Sequence, residues 1–488
     1  MNRHLFNWSE WSALDAIAIG EHVRRGDVSP AEVADQASAA MAIVNPRINA
    51  LLEHFTPAIA ASAADPGAID RRLDGAPIVL KDLGSGISGQ LQEQGSALYR
   101  SHRATQTDPL AANLIASGVS IIGRASSAEL GMAYDTSTTY DGLRITRNPW
   151  NTDYTPGGSS GGSAALVAAG AIPAAHGTDG AGSIRIPAAL TGLFGLKVTR
   201  GFLPPPWRFN EYGNPGMVEG FLTRSVRDTA ALLDAGSCHF PAGNSFITHR
   251  HVHESLLDRL DAPLPALRIG FSAGSWGRHG RPTAEATEAL QVVAQHLAGQ
   301  GHAVEEVDDT QLLDWEKFWQ GFRSFWVGIR PGGWPETAAP LTPVLQGFRE
   351  ASHHYDKRAV LTHHENINRS SLAFAVLFER FDLLLCPVFG RDHAAANGPL
   401  SSCASTGFTS FIENFLDAGR YTIPANETGL PAISLPAGFD ARGLPLAVQL
   451  YAPWHEELRL LQVARSFEQV EKNTSSIPAE HIRRSMHT

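Results

Sequence analysis

Apolar positions in the first fifty residues recur three and four apart, and the longest such stretch follows Val28-Ser29-Pro30-Ala31-Glu32. That run supplies a capping serine, a proline at the first helical position and a glutamate three residues after the cap. The spacing predicts a helix from there through Ile43. The pattern then changes. Ala76-Pro77-Ile78-Val79-Leu80-Lys81-Asp82 is a short aliphatic run after a turn, and predicts a buried strand ending at a lysine. A helix over Asp108 to Ala116 leads into a second strand, Val119 to Gly123. Strands are also predicted at Leu383 to Pro387, Gly429 to Pro436 and Gly443 to Leu450, with a closing helix over Glu456 to Val470. Strands alternating with helices predict an α/β fold around a parallel or mixed sheet.

Composition narrows the function classes. Hydrophobic residues make up 43% and charged residues 18% of 488, which excludes a disordered chain and allows a large core. The formal net charge of -10 leaves no electrostatic footprint for nucleic acid or an anionic membrane, so small neutral molecules or other protein chains are the expected partners. Cys238, Cys386 and Cys403 form no CxxC pair and no disulfide framework, which suits a reducing compartment. Met1 to Trp11 lacks the basic and apolar regions of a signal peptide. The longest apolar stretch, Ala164 to Ala175, is too short to span a bilayer and is broken by Gly170 and Pro173. No membrane partner is expected, and the cytoplasm is the expected location.

The block from Thr155 to Pro187 is the least ordinary part of the chain. Ser159 and Ser183 each sit in a glycine-rich turn, 24 residues apart, with an alanine-rich helix over Ala164 to Ala169 and room for a returning strand between them. Glycines beside a serine admit a reacting carbonyl to the backbone. Successive N–H groups of Gly180, Ala181, Gly182 and Ser183 can converge on an oxyanion, at roughly 3–4 kcal/mol per donor. A serine hydroxyl needs a base. Lys81, at the end of an apolar strand, is the candidate, because burial disfavours its charged form.

The segments Gly157 to Ser163, Thr178 to Pro187 and Pro77 to Asp82 together resemble the amidase signature family. The likeness extends from the Val28-Ser29 helix through Thr146-Arg147-Asn148-Pro149-Trp150-Asn151 to the Pro431–Gln449 hairpin, and is weakest between about 240 and 380. The resemblance implies an amidohydrolase in which Ser183 is the nucleophile, Ser159 a bridging serine on a cis peptide bond and Lys81 the base. It maps the oxyanion-hole amides onto Gly180, Ala181 and Gly182. The implied fold is one α/β domain, a large mixed sheet covered on both faces by helices. Within it, 1–70 is an N-terminal helical region, 71–235 the catalytic core, 240–380 a variable helical cap, and 381–488 returning strands with the C-terminal helix. The implied substrate is a small linear or cyclic carboxamide, with neither cofactor nor metal. The family is often dimeric, so a homodimer is an expectation. Ala181 stands where the family usually has a second glycine. If that backbone is left-handed, alanine costs about 1 kcal/mol or more. A similar substitution occurs in members that act on nylon-type cyclic amide dimers, and points towards such substrates.

Other readings of the same residues stay open. Gly157-Gly158-Ser159-Ser160-Gly161 also matches a nucleophile elbow, which would make Ser159 the nucleophile of an esterase with a downstream Asp and His. The chain could instead be the amidase subunit of a glutamine-dependent amidotransferase, or a catalytically dead scaffold. Lys81 alone could be a lysine paired with Asp82. Asp179 and Arg185 are read as loop-holding rather than catalytic, and His176 as hydrogen-bonded in place. Trp207, Phe209 and Tyr212 follow the glycine block and are candidate pocket residues. Trp315, Phe318, Trp319, Phe322, Phe325 and Trp326 have helical spacing and are read as a buried helix face, with an apolar acyl-binding wall or lid as the alternative. His249, His251 and His253 lack a carboxylate or cysteine placed to share a metal.

Overall fold

In Leu383 to Cys386, odd positions pack into one apolar cluster and even positions into another. Successive side chains of a strand point to opposite faces, so a strand apolar at every position is buried on both. The structure, a computed structural model, describes residues 5–55, 71–207, 216–239, 254–280, 282–328, 334–335, 341–355, 357–404, 407–471 and 477–487.

Its strands are β1 (Leu51–His54), β2 (Pro77–Lys81), β3 (Ser120–Ala125), β4 (Ser137–Thr138), β5 (Arg144–Ile145), β6 (Ala174–Asp179) and β7 (Phe194–Lys197). They continue with β8 (Val218–Thr223), β9 (Arg268–Phe271), β10 (Ala303–Glu306), β11 (Leu383–Pro387), β12 (Ala432–Phe439) and β13 (Pro445–Tyr451). Eight of them form one mixed sheet in the order β10-β9-β11-β13-β12-β7-β8-β6. β10, β9 and β11 are parallel, and the remaining neighbours antiparallel. A smaller sheet, β1-β3-β2, is tied to β6 through the Lys81 N–H, which donates to His176 Nδ1 at 3.2 Å. One face of the large sheet packs against helices Val226–Gly236, Ala284–Gly299 and Glu457–Glu471, the other against Arg185–Thr191, Trp315–Gly328 and Phe408–Ala418. This is the α/β architecture expected, a mixed sheet between helical layers.

Differences from the expected elements have local causes. The helix after Ser159 spans Gly161–Ala168 and starts three residues before its alanines. Gly162 lies in its first turn because the backbone of Ser126 and the Ala50 carbonyl occupy the space a Cβ would need. Residues 240–380 are not all cap, since β9 and β10 complete the large sheet. Their four-residue lengths and half-exposed edge positions carry little periodic signal.

The aromatic run is the buried face of helix Trp315–Gly328, with all six rings buried. Trp326 stacks on Phe415 at 3.8 Å between centroids and meets Phe348 edge-on at 4.9 Å. Trp326→Ala is expected to cost about 3–5 kcal/mol through the cavity it leaves. Denaturant unfolding measures this, and a loss below about 1 kcal/mol would mean that the cluster relaxes to fill the gap.

Candidate active site

β2 delivers Lys81 to the interior, where it is 1% exposed. Its Nζ lies 2.7 Å from Ser159 Oγ and 2.8 Å from Thr178 Oγ1. Asp82 is not its partner. That carboxylate faces away and accepts from Arg124 Nη1 at 2.6 Å and from the Glu93 and Gly95 amides. The Gly158–Ser159 peptide bond is cis. Ser159 O accepts from Ala128 N at 3.0 Å.

Ser160 fastens the two serine turns together. Its N–H donates to Ser183 O at 3.3 Å, and its hydroxyl bridges the N–H and C=O of Thr178. Ser183 is thereby held against the Ser159 turn, 5% exposed. Its hydroxyl makes no hydrogen bond among the described residues.

The loop from Asp179 to Arg185 is over-determined. Asp179 accepts from Arg185 Nε and Nη2, both at 3.0 Å, and both side chains are fully buried. Burial pushes the Asp179 carboxyl up, but the Arg185 guanidinium and the hydrogen bonds outweigh it, so it stays ionised well below the usual carboxylate range. Arg185 continues to Gln449 Oε1 at 2.7 Å and Asn426 Oδ1 at 2.6 Å, and Asn426 Nδ2 returns to Asp179 O and Oδ1. The loop-holding reading of Asp179 and Arg185 describes this geometry. The Ala181 carbonyl is pinned from two sides, by Tyr134 Oη at 2.6 Å and Thr422 Oγ1 at 2.7 Å.

Two expectations about this loop need correction. Its left-handed residue is Gly182, at φ 122°, so Ala181 carries no left-handed cost. The Gly182 N–H is not available to an oxyanion, because it donates to Asp179 Oδ1 at 2.7 Å. A carboxylate at the mouth of a turn takes the amide that points back at it. The amides of Gly180, Ala181 and Ser183 make no hydrogen bond among the described residues, and these three can meet an incoming oxyanion.

Sequence reasoning singled out neither Thr178 nor Ser160, although both lie inside the glycine block. Asn426, Thr422 and Tyr134 carried no local signal, since they reach the loop from distant parts of the chain. Trp207 is half-exposed, its N–H on Asp108 Oδ1 at 2.8 Å and its indole N–H on Thr107 O at 3.1 Å. Phe209 and Tyr212 lie outside the described residues, as do His249, His251 and His253. Among the described residues no group of three His, Cys, Asp or Glu side chains is placed to hold a metal. No described helix is long and apolar enough to cross a membrane. The three cysteines are free thiols, and burial pushes Cys386 up to about 12.

The helix Ile423–Thr428 that carries Asn426 also buries Glu427, whose Oε2 lies 3.2 Å from His363 Nε2. Burial lifts the Glu427 carboxyl to about 8 against the opposing pull of Arg200, and lowers His363 to about 3. The folded protein therefore holds this pair neutral. An unfolded glutamate ionises near its ordinary value of 4.5, so between that pH and about 8 the folded state binds more protons. Stability from this group falls as pH rises through that window. Glu427→Gln is expected to gain melting temperature over the parent at pH 8 relative to pH 5. Scanning calorimetry at both values tests it, and an equal difference at both would refute it.

Residues 32–320 and 339–461 match the Amidase family model. The putative amidase AmiC of Mycobacterium tuberculosis (strain ATCC 25618 / H37Rv) is 31% identical over 485 residues, covering 96% of each chain. The 6-aminohexanoate-cyclic-dimer hydrolase of Paenarthrobacter ureafaciens is 31% identical over 93% of this chain and 94% of its own. A solved structure of 6-aminohexanoate cyclic dimer hydrolase complexed with substrate aligns with a TM-score of 0.86 at 28% identity, over 96% of this chain and 99% of that one. The chain belongs to the amidase family, as a hydrolase that cleaves carboxamide carbon–nitrogen bonds other than peptide bonds.

Proposed function

We propose that this chain cleaves a small carboxamide through an acyl-enzyme on Ser183, with Lys81 as base and Ser159 as relay. The observation that carries this reading is the buried 2.7 Å contact between Lys81 Nζ and Ser159 Oγ, beside a turn fastened to Ser183. With the amine neutral, Ser159 gives its proton to Lys81 and takes the proton of Ser183. Ser183 Oγ then bonds to the amide carbon, and the oxyanion is met by the amides of Gly180, Ala181 and Ser183. The proton returns through Ser159 to the leaving nitrogen as the C–N bond breaks. Water then releases the acid by the same relay. The Ser159–Ser183 leg closes when substrate enters, since catalytic hydrogen bonds tighten in the reactive complex. The elbow reading is less well supported, because the Ser159 hydroxyl meets an amine while the imidazole of His176 faces the Lys81 backbone.

The substrate class we favour includes cyclic alkyl amides, on the likeness to the cyclic dimer hydrolases. The test is a hydrolysis panel of aryl, alkyl, cyclic and peptide amides, with 6-aminohexanoate cyclic dimer among them and Ser183→Ala as blank. The isolated chain is expected to turn over at least one amide without a partner or ATP. A requirement for either would favour an amidotransferase subunit. The free thiols fit a cytoplasmic location. A homodimer is also part of this reading, and sedimentation of the isolated chain tests it.

A further inference from the structure

Joined to the Lys81 N–H is a second buried polar chain that the proposed reaction does not use. His176, fully buried on β6, accepts the Lys81 N–H at Nδ1, so its ring proton sits on Nε2. That N–H donates to Glu219 Oε2 at 3.1 Å, and the Ser85 hydroxyl donates to the same oxygen. Glu219 is opposite Thr178 in the β6–β8 register, on the same face of the sheet, and Thr178 holds the Lys81 amine. Glu219 is 2% exposed, and its Oε1 has no hydrogen-bond partner among the described residues.

The charged and titratable groups around Lys81 come from every neighbouring element. Asp82 on its own strand and Glu93 from the following loop are both neutralised by Arg124 of β3. Asp179 of β6 is neutralised by Arg185. Glu219 of β8 differs. Among the described residues its one ion-pair neighbour is His176, whose Nδ1 accepts the Lys81 N–H.

We propose that Glu219 and His176 are positioning residues for Lys81: the carboxylate fixes the imidazole that holds the end of β2, and its buried charge raises the proton affinity of the lysine amine. This rests on the reading of Lys81 as base. A carboxylate paired in register with the residue that holds a lysine amine, in a poorly solvated interior, favours the ammonium form. Removing the charge while keeping the shape must then release the lysine proton at lower pH.

The test uses the full-length protein, with kcat, KM and the rate of Ser183 labelling by a fluorophosphonate measured across pH. Glu219→Gln is expected to move the acid limb of kcat/KM and of the labelling rate down by about one pH unit, with KM unchanged. His176→Asn, which keeps an acceptor near the Lys81 amide but cannot reach Glu219, is expected to lower kcat roughly tenfold at constant KM. A Glu219→Gln profile that superimposes on the parent, or a change in KM alone, overturns the proposal. Should the glutamine variant not fold, His176→Asn decides on kcat, and an unchanged value overturns the proposal. Lys81→Ala is the control. If that variant labels as fast as the parent, the reading of the base has failed rather than this one.

Discussion

Ser183→Ala is expected to lower kcat on a cleaved amide by about five to six orders of magnitude while the protein stays folded. Loss of a serine nucleophile removes the covalent route altogether, and what remains comes from binding and oxyanion donors. The substitution removes one hydroxyl that makes no hydrogen bond among the described residues, so the core and the Asp179–Arg185 clamp keep their partners. Thermal unfolding should therefore barely move. Turnover followed by chromatography of the acid product, with fluorophosphonate labelling and peptide mapping, checks both halves. Labelling that maps to Ser159, or a variant retaining more than about a hundredth of parental kcat, would end the assignment of Ser183.

Loss of the proposed base is expected to be nearly as severe. Lys81→Ala should lower kcat by about three to four orders of magnitude, near the upper end of what a positioned base contributes. The remaining rate should rise with hydroxide instead of following the ionisation of an amine. Lys81 sits between the hydroxyls of Ser159 and Thr178, so cutting the side chain back leaves those two hydroxyls without its amine. Lys81→Arg is expected to fare no better, because a guanidinium stays protonated and cannot accept. Steady-state kinetics from acid to alkaline pH separates these outcomes. Survival of Lys81→Ala alongside collapse of a histidine variant would favour the elbow reading.

Much of the proposed site was readable because its backbone geometry is local. The glycines around Ser159 and Ser183, the apolar strand before Lys81 and the cap at Ser29 each declare a backbone geometry within a few residues. Capping and strand burial are short-range matters, and the helix Pro30–Ile48 has its capping box as expected. What stayed illegible is the choice among equivalent backbone amides. Nothing in Asp179-Gly180-Ala181-Gly182-Ser183 indicates that Gly182, and not Ala181, turns left-handed and spends its N–H on Asp179. That choice depends on Tyr134 and Thr422 pinning the Ala181 carbonyl from two separate loops.

The amino-acid sequence alone determined the class of chemistry, since two serine turns and a strand-end lysine suit few reactions, and it determined the alternation of strands and helices that makes the sheet. Tertiary structure alone decided that Lys81 meets Ser159 and not Asp82, that Arg185 reaches Gln449 and Asn426, and that His176 and Glu219 join the Lys81 backbone. The physical reason is that a buried charge takes whichever partner the fold brings within about 3 Å, and separation along the chain says nothing about that distance.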